Sequence, residues 1–209
     1  SINGDGTIVA IGARYNDGNG SNAGHVRIYE YDGTVWNQLG QDIDSEASGD
    51  QSGSSVSLNS DGTIVAIGAP FNEGTGVSYM GHVRIYQYDS SNDIWNQIGQ
   101  DIDGEASSDQ SGFSVSINSD GTIVAIGARY NHGTATVTNW YSGHVRIYQY
   151  DSGNDIWNQL GQDIDGEAAN DQSGYSVSLS GDGTIVAIGA LYNDGTGAGN
   201  EGHVRIYQY

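Results

Sequence analysis

The chain has no cysteine, no lysine, a single proline and a single methionine among its 209 residues. Without cysteine there is no disulfide scaffold, although that absence does not fix the compartment. Six arginines are set against 26 acidic residues, a formal charge of −20. Such a surface repels nucleic acid and anionic lipid, and it can attract divalent cations. No apolar run approaches the ~20 residues that span a bilayer, so membrane insertion is not expected. Met80 is the only methionine and no signal peptide is present, so the sequence reads as a processed product or an excerpt of something longer.

What the chain has in quantity is glycine, 33 residues, with 14 tyrosines and four tryptophans to supply large packing surfaces. High acidity with abundant Gly, Asn, Ser and Thr suits an extracellular or cell-surface protein. Above all the chain repeats itself. Residues 81–106, GHVRIYQYDSSNDIWNQIGQDIDGEA, return at 143–168 with only Ser91 replaced by Gly153 and Ile98 by Leu160. DGTIVAIGA begins at Asp5, Asp61, Asp120 and Asp182, and GHVRIY carries its histidine at 25, 82, 144 and 203. WNQ(L/I)GQDID starts at Trp36, Trp95 and Trp157, and DQSGxSVS at Asp50, Asp109 and Asp171.

Each unit predicts four short strands. SVSLN alternates, and Asn59-Ser60-Asp61-Gly62 signals a tight antiparallel turn. TIVAIGA is nearly continuous in apolar and β-branched residues, as a strand covered on both faces requires. HVRIYQY alternates again, with His82, Arg84, Tyr86 and Tyr88 on one side, and IWNQIGQDI supplies the fourth strand. No stretch carries a 3.6-residue period. The expected fold is all-β: a β-propeller of four-stranded antiparallel blades, about 3.5 blades and 14 strands in this chain. Blade-like repeats fall at about 1–54, 55–113, 114–175 and 176–209, the last incomplete. A β-helix is the alternative, but its coils are shorter and lack NSDG hairpins.

The SINSDGTIVAIGA…GHVRIYQY pattern resembles the FG-GAP repeats of integrin-alpha-type propellers. It is most similar to an environmental branch with WxQLGxDIDGEAxxDxSGxSVSLSxDG in every blade. The resemblance covers essentially the whole chain and implies an extracellular propeller used in adhesion or surface structure. Many such blades carry a calcium loop, DxNxDGxxD, before the second strand. Here Ser57, Asn59, Asp61 and Gly62 run directly into Thr63 and Ile64, without the first and last acidic ligands. The segment is also similar to the metal-free SPDGxxLAxG hairpin of WD-repeat blades.

The four repeated histidines occupy equivalent places in separate blades, and a structural role at a strand start is expected of them. Arg27, Arg84, Arg146 and Arg205 lie between apolar neighbours and call for carboxylate or carbonyl partners, so inter-blade or loop-locking ion pairs are expected. The acidic loop containing Asp101, Asp103, Glu105 and Asp109 is the candidate calcium site, although its glycine spacing does not match a calcium loop and no cofactor is required. Trp36, Trp95 and Trp157 fit inter-blade packing, whereas Trp140 and Tyr141 lie in the longest variable loop and are candidates for contact with a glycan or surface protein. Asn19-Gly20-Ser21 is a glycosylation sequon. No nucleophile–base pair or phosphate loop stands apart from the repeats, so the chain is expected not to be an enzyme. Its expected role is an extracellular structural or adhesion protein that self-associates through incomplete terminal blades. The alternative is a carbohydrate- or protein-binding module that uses the variable loops between TIVAIGA and GHVRIY.

Overall fold

The structure, a computed structural model, describes residues 1–73, 78–132, 140–195 and 199–208. Among these residues there are seventeen strands in four antiparallel sheets and no helix. The first sheet holds β1 (Ile8–Ala13), β2 (His25–Tyr31), β3 (Trp36–Gln38) and β4 (Ile43–Asp44). The second holds β5 (Ser55–Leu58), β6 (Ile64–Ala69), β7 (His82–Asp89), β8 (Ile94–Gln97) and β9 (Ile102–Asp103). The third repeats this with β10 (Ser111–Ile117), β11 (Ile123–Ala128), β12 (His144–Asp151), β13 (Ile156–Gln159) and β14 (Ile164–Asp165). The fourth contains β15 (Ser173–Leu179), β16 (Ile185–Ala190) and β17 (His203–Gln208).

Fourteen strands are expected from the sequence, and the difference lies in the fourth strand of each unit. It divides at a glycine. Gly99 sits at φ +69°, so IWNQIGQDI forms β8, a break, and then β9, both paired with β7. The break is a backbone feature of the glycine: a Cβ on Gly99 would lie 2.5 Å from Trp157 of the next sheet, but Gly161, at φ +77° in the same break, would meet nothing within 4 Å.

The hairpins before the second strands form as the NSDG signal requires. Asp61 Oδ1 accepts from the Thr63 amide at 2.9 Å and its hydroxyl at 2.6 Å, and Asn59 Oδ1 accepts from the Ile64 amide at 2.9 Å. The same turn recurs at Asp5, Asp120 and Asp182. Each of these aspartates therefore spends a carboxylate oxygen on its own turn.

The core is divided into layers between adjacent sheets. Ala10, Val26, Ile28 and Ile43 of the first sheet pack against Val65, Ile67, Tyr86 and Trp95 of the second. Ile64, Ala66, Val83, Ile85 and Ile102, on the other face of that sheet, pack against Val124, Ile126, Tyr148 and Trp157 of the third. A third layer joins Val145 and Ile147 to Val186 and Ile188. Every inner sheet is thus apolar on both faces, which accounts for the unbroken TIVAIGA run. Each fully buried Ile or Val contributes about 1.5–3 kcal/mol relative to exposure.

Polar contacts lock the same junctions. Trp157 Nε1 donates to the Ile98 carbonyl at 3.0 Å, while the Gln100 amide clasps the Trp157 backbone through both of its groups at 3.0 Å. Leu39, Gln41 and Trp95 repeat this clasp one sheet earlier. Closest approach occurs at glycine: a Cβ on Gly68 would sit 2.0 Å from the Gly112 carbonyl oxygen, and one on Gly127 would sit 2.2 Å from that of Gly174.

Candidate functional site

The two-residue strands β4, β9 and β14 pair with the starts of β2, β7 and β12, and that register sets each DID aspartate opposite a GHVRIY histidine. His82 is opposite Asp103, and His144 opposite Asp165. The chain then crosses to the next sheet through a Gly-Glu step or its Ser-Glu counterpart. The glutamate of one unit thereby reaches the histidine of the following one. Glu46 Oε2 lies 3.9 Å from His82 Nδ1, with Asp101 Oδ2 at 3.8 Å. Glu105 Oε2 lies 3.9 Å from His144 Nδ1, with Asp163 Oδ2 at 3.8 Å and Asp165 Oδ1 at 4.0 Å. In the first sheet His25 faces only Asp42 and Asp44 of its own unit.

Both inner histidines are 1% exposed. Burial, with the neighbouring arginine second, pushes His82 and His144 down to about 4, so the imidazoles are neutral at pH 7. Burial also raises Glu46 and Glu105 above the ordinary carboxylate range, against the opposing pull of Arg84 and Arg146. Among the described residues, His144 Nδ1 and Asp165 Oδ1 are buried without a hydrogen-bond partner.

The arginines bridge adjacent units. Arg84 donates to the Asp44 carbonyl at 2.9 Å and lies 3.7 Å from Glu46. Arg146 donates to the Asp103 carbonyl at 2.8 Å and lies 3.5 Å from Glu105. Arg205 repeats the pattern with the Asp165 carbonyl and Glu167. Arg27 instead forks onto both oxygens of Asp42, at 2.9 and 2.8 Å, within its own sheet.

The four acidic residues singled out in the sequence do not meet at one point. Asp101 joins His82, Glu105 joins His144 one junction further on, and the Asp103 carbonyl takes Arg146. Asp109 is buried and bonds Ala106 and Asn131. The cross-junction pairing of glutamate with histidine was not read from the sequence. It follows from register: once GHVRIY is paired with DID, the next residues lead out of the sheet and onto its neighbour.

Trp140 and Tyr141 are 55% and 36% exposed and gather with His132 and Tyr130, ring centroids 4.9–6.3 Å apart. Asn19 donates its side-chain amide to the Ser45 carbonyl at 2.5 Å. Parts of three variable loops, 74–77, 133–139 and 196–198, lie outside the described residues, as does residue 209.

The end faces differ from the interior ones. Val204 and Ile206 are 65% and 71% exposed, whereas their counterparts Val83 and Ile85 are at 0% and 1%. On the first sheet Val9, Ile11, Tyr29 and Trp36 line an apolar depression of about 350 Å³. Their counterparts in the second sheet are the residues that pack on the first.

Comparison with known proteins follows the repeat. The FG-GAP repeat pattern matches residues 164–207. The chain carries an FG-GAP repeat. That FG-GAP match runs from β14 to β17 and contains the IDGE, DQSG, DGTIVAIGA and GHVRIY motifs that recur in the earlier units. No curated protein matches the sequence. Among solved structures, a provisionally assigned 6-phosphogluconolactonase from Bacteroides uniformis is similar at 10% identity and a TM-score of 0.62, covering 100% of this chain and 49% of that protein. A periplasmic gluconolactonase from Pseudomonas aeruginosa is similar at 15% identity and TM-score 0.55, covering 97% and 50%. Another provisionally assigned 6-phosphogluconolactonase, from Bacteroides fragilis, is similar at 14% identity and TM-score 0.52, covering 79% and 38%. The chain therefore spans half or less of the length of these structures, and at such identities the likeness concerns fold alone.

These likenesses correct one expectation. Repetition and the lack of an asymmetric constellation argued against an enzyme, yet the fold is shared with proteins named as lactonases. Uniform blades are thus no ground for excluding catalysis, because function is carried by sites placed on a fold.

Proposed function

We propose that this chain is a structural or adhesion module of an extracellular or cell-surface assembly, joined to further blades through its two end faces. The observation that carries the reading is the exposure of Val204 and Ile206 beside the complete burial of Val83 and Ile85 in the same motif. A face made of Ile185, Val204 and Ile206 is the kind that packs, inside the chain, against a face made of Val, Ile, Tyr and Trp. The first sheet offers that second kind, through Val9, Ile11, Tyr29 and Trp36. The two ends are complementary to each other and not to themselves, so association is head to tail. The occupant proposed for the 209-residue chain is a second copy; in a longer polypeptide the same faces would take the adjoining blade.

Sedimentation velocity from micromolar to millimolar concentration tests this. Concentration-dependent association that Ile206→Asp abolishes is the expected result. A monomer across the whole range would refute it. A second reading rests on the aromatic group Tyr130, His132, Trp140 and Tyr141, in which the exposed rings of Trp140 and Tyr141 suit the apolar face of a sugar or a peptide side chain. Glycan-array binding that is lost in Trp140→Ala with Tyr141→Ala would support it, and binding unaltered by those changes would remove it.

A further inference from the structure

We propose that the two inner blade junctions each bind a divalent cation of the zinc class, held by a buried imidazole of one blade and a glutamate delivered by the preceding unit. At the better defined junction the donors are His144 and one carboxylate oxygen each of Glu105 and Asp163, within 4.8 Å of one another, with Asp165 Oδ1 beside them at 4.0 Å from the imidazole. The other junction offers His82 Nδ1, Glu46 Oε2 and Asp101 Oδ2, which lie within 4.8 Å of one another.

Four observations converge on this assignment. First, the donors face one another at 3.8–4.0 Å from the imidazole, too far for hydrogen bonds. Tetrahedral zinc with bonds of ~2.0–2.2 Å places neighbouring donors ~3.4 Å apart, so each carboxylate would move about half an ångström toward the imidazole, and the carboxylates, now within 4.8 Å of each other, would also close on one another. Second, His144 Nδ1 is buried and unpartnered at 3.8–4.0 Å from these carboxylates, and Asp165 Oδ1 is buried and unpartnered too. Leaving two such atoms unsatisfied is costly, and a cation would satisfy both. At the other junction the unpartnered ring nitrogen is His82 Nε2, so ligation through Nδ1 there leaves Nε2 to carry the ring proton. Third, the site is net negative. Three carboxylates stand against Arg146, whose Nη1 is 3.5 Å from the other oxygen of Glu105, and Arg205, which donates to the Asp165 carbonyl, so a divalent ion is attracted there. Fourth, a supporting contact is already in place, since Gln159 Nε2 donates to Asp163 Oδ1 at 2.7 Å and orients that carboxylate. Gln97 does the same for Asp101. An imidazole among carboxylates favours zinc-class ions over calcium, which prefers oxygen throughout. Glu105 remains about half exposed, which gives the ion a path in from solvent.

The terminal junctions are excluded by the same reasoning. Asp42 gives both oxygens to Arg27, and His25 receives no glutamate among the described residues. His203 has Glu167 at 3.4 Å but, among the described residues, no paired aspartates. Because both proposed sites lie within one chain, the outcome does not depend on self-association.

The experiment is a titration of chelator-treated protein with zinc chloride, followed by long-range ¹H–¹⁵N spectra of the imidazoles, with a parallel titration of Glu46→Gln/Glu105→Gln. Expected are selective shifts of the His82 and His144 ring nitrogens, saturation at about two ions per chain, and a raised melting temperature. The double variant should bind at least about tenfold more weakly; its melting temperature in chelator falls through the lost pairs with Arg84 and Arg146, but zinc should no longer raise it. Unmoved His82 and His144 resonances would overturn the proposal. So would undiminished zinc binding by the double variant, or calcium displacing zinc at equal concentration.

Discussion

Ile147 and Ile206 hold the same place in the GHVRIY motif, yet one is 2% exposed and the other 71%. Replacing each by alanine isolates what a neighbouring sheet contributes. At Ile147 the change removes about three methylene equivalents at ~0.8 kcal/mol each, and a cavity term brings the loss to about 3–4 kcal/mol. At Ile206 little apolar area is lost, and the cost should stay below about 1 kcal/mol. At about 2–4 °C per kcal/mol for a chain of this size, the two melting temperatures should differ by about 6–12 °C. The assay is thermal melting followed by tryptophan fluorescence, at a concentration where sedimentation shows monomer. At higher concentration the Ile206 variant should lose association instead. If the two variants melt within about 2 °C of each other, coverage by adjacent sheets is not what holds the fold together.

Other outcomes follow from the same junctions. Gly127→Ala places a methyl 2.2 Å from the Gly174 carbonyl oxygen and should cost about 2–3 kcal/mol by denaturant titration. Gly189→Ala meets only the rotatable Ser176 hydroxyl and should cost under about 1 kcal/mol. Arg146→Met should destabilise by about 2–3 kcal/mol by leaving the Asp103 carbonyl and Glu105 without their cation, whereas Arg27→Met, at a solvent-screened pair, should shift the denaturation midpoint far less. In chelator, stability should fall as pH drops from 6.5 towards 4. The unfolded chain takes up protons on His82 and His144 first, because their folded values are held near 4. Each histidine accounts for up to about 3 kcal/mol. Glu46 and Glu105, raised by burial, work in the opposite sense in the lower part of that window, so the steepest loss should lie above about pH 5 in urea titrations.

Much of the architecture was legible because each unit states the same pattern in full. Strand positions, the Asp-Gly hairpins and the double burial of TIVAIGA come from local chemistry and period, which a single sequence displays. The break at Gly99 was not legible, since an apolar and polar run such as IWNQIGQDI reads as one strand, and only the positive φ of its glycine, shared by Gly161, divides it. Repetition also obscured the carboxylate–histidine groups. Grouping acids by closeness in sequence put Asp101 with Glu105, whereas the crossing between sheets sends Glu105 to His144 and leaves Asp101 with Glu46 and His82. The aromatic group at Trp140 was foreseen only in part, because His132 and Tyr130 join it from the other side of the loop.

The contact of Gly68 with Gly112 and of Gly127 with Gly174 has a geometric consequence for the whole arc. Main chain touches main chain there, so nothing compressible separates successive sheets along that edge. The angle from one sheet to the next is therefore fixed by peptide dimensions. A single methyl group would open it, and repeated at every junction, that small increment would accumulate into a different curvature and a different number of sheets per turn.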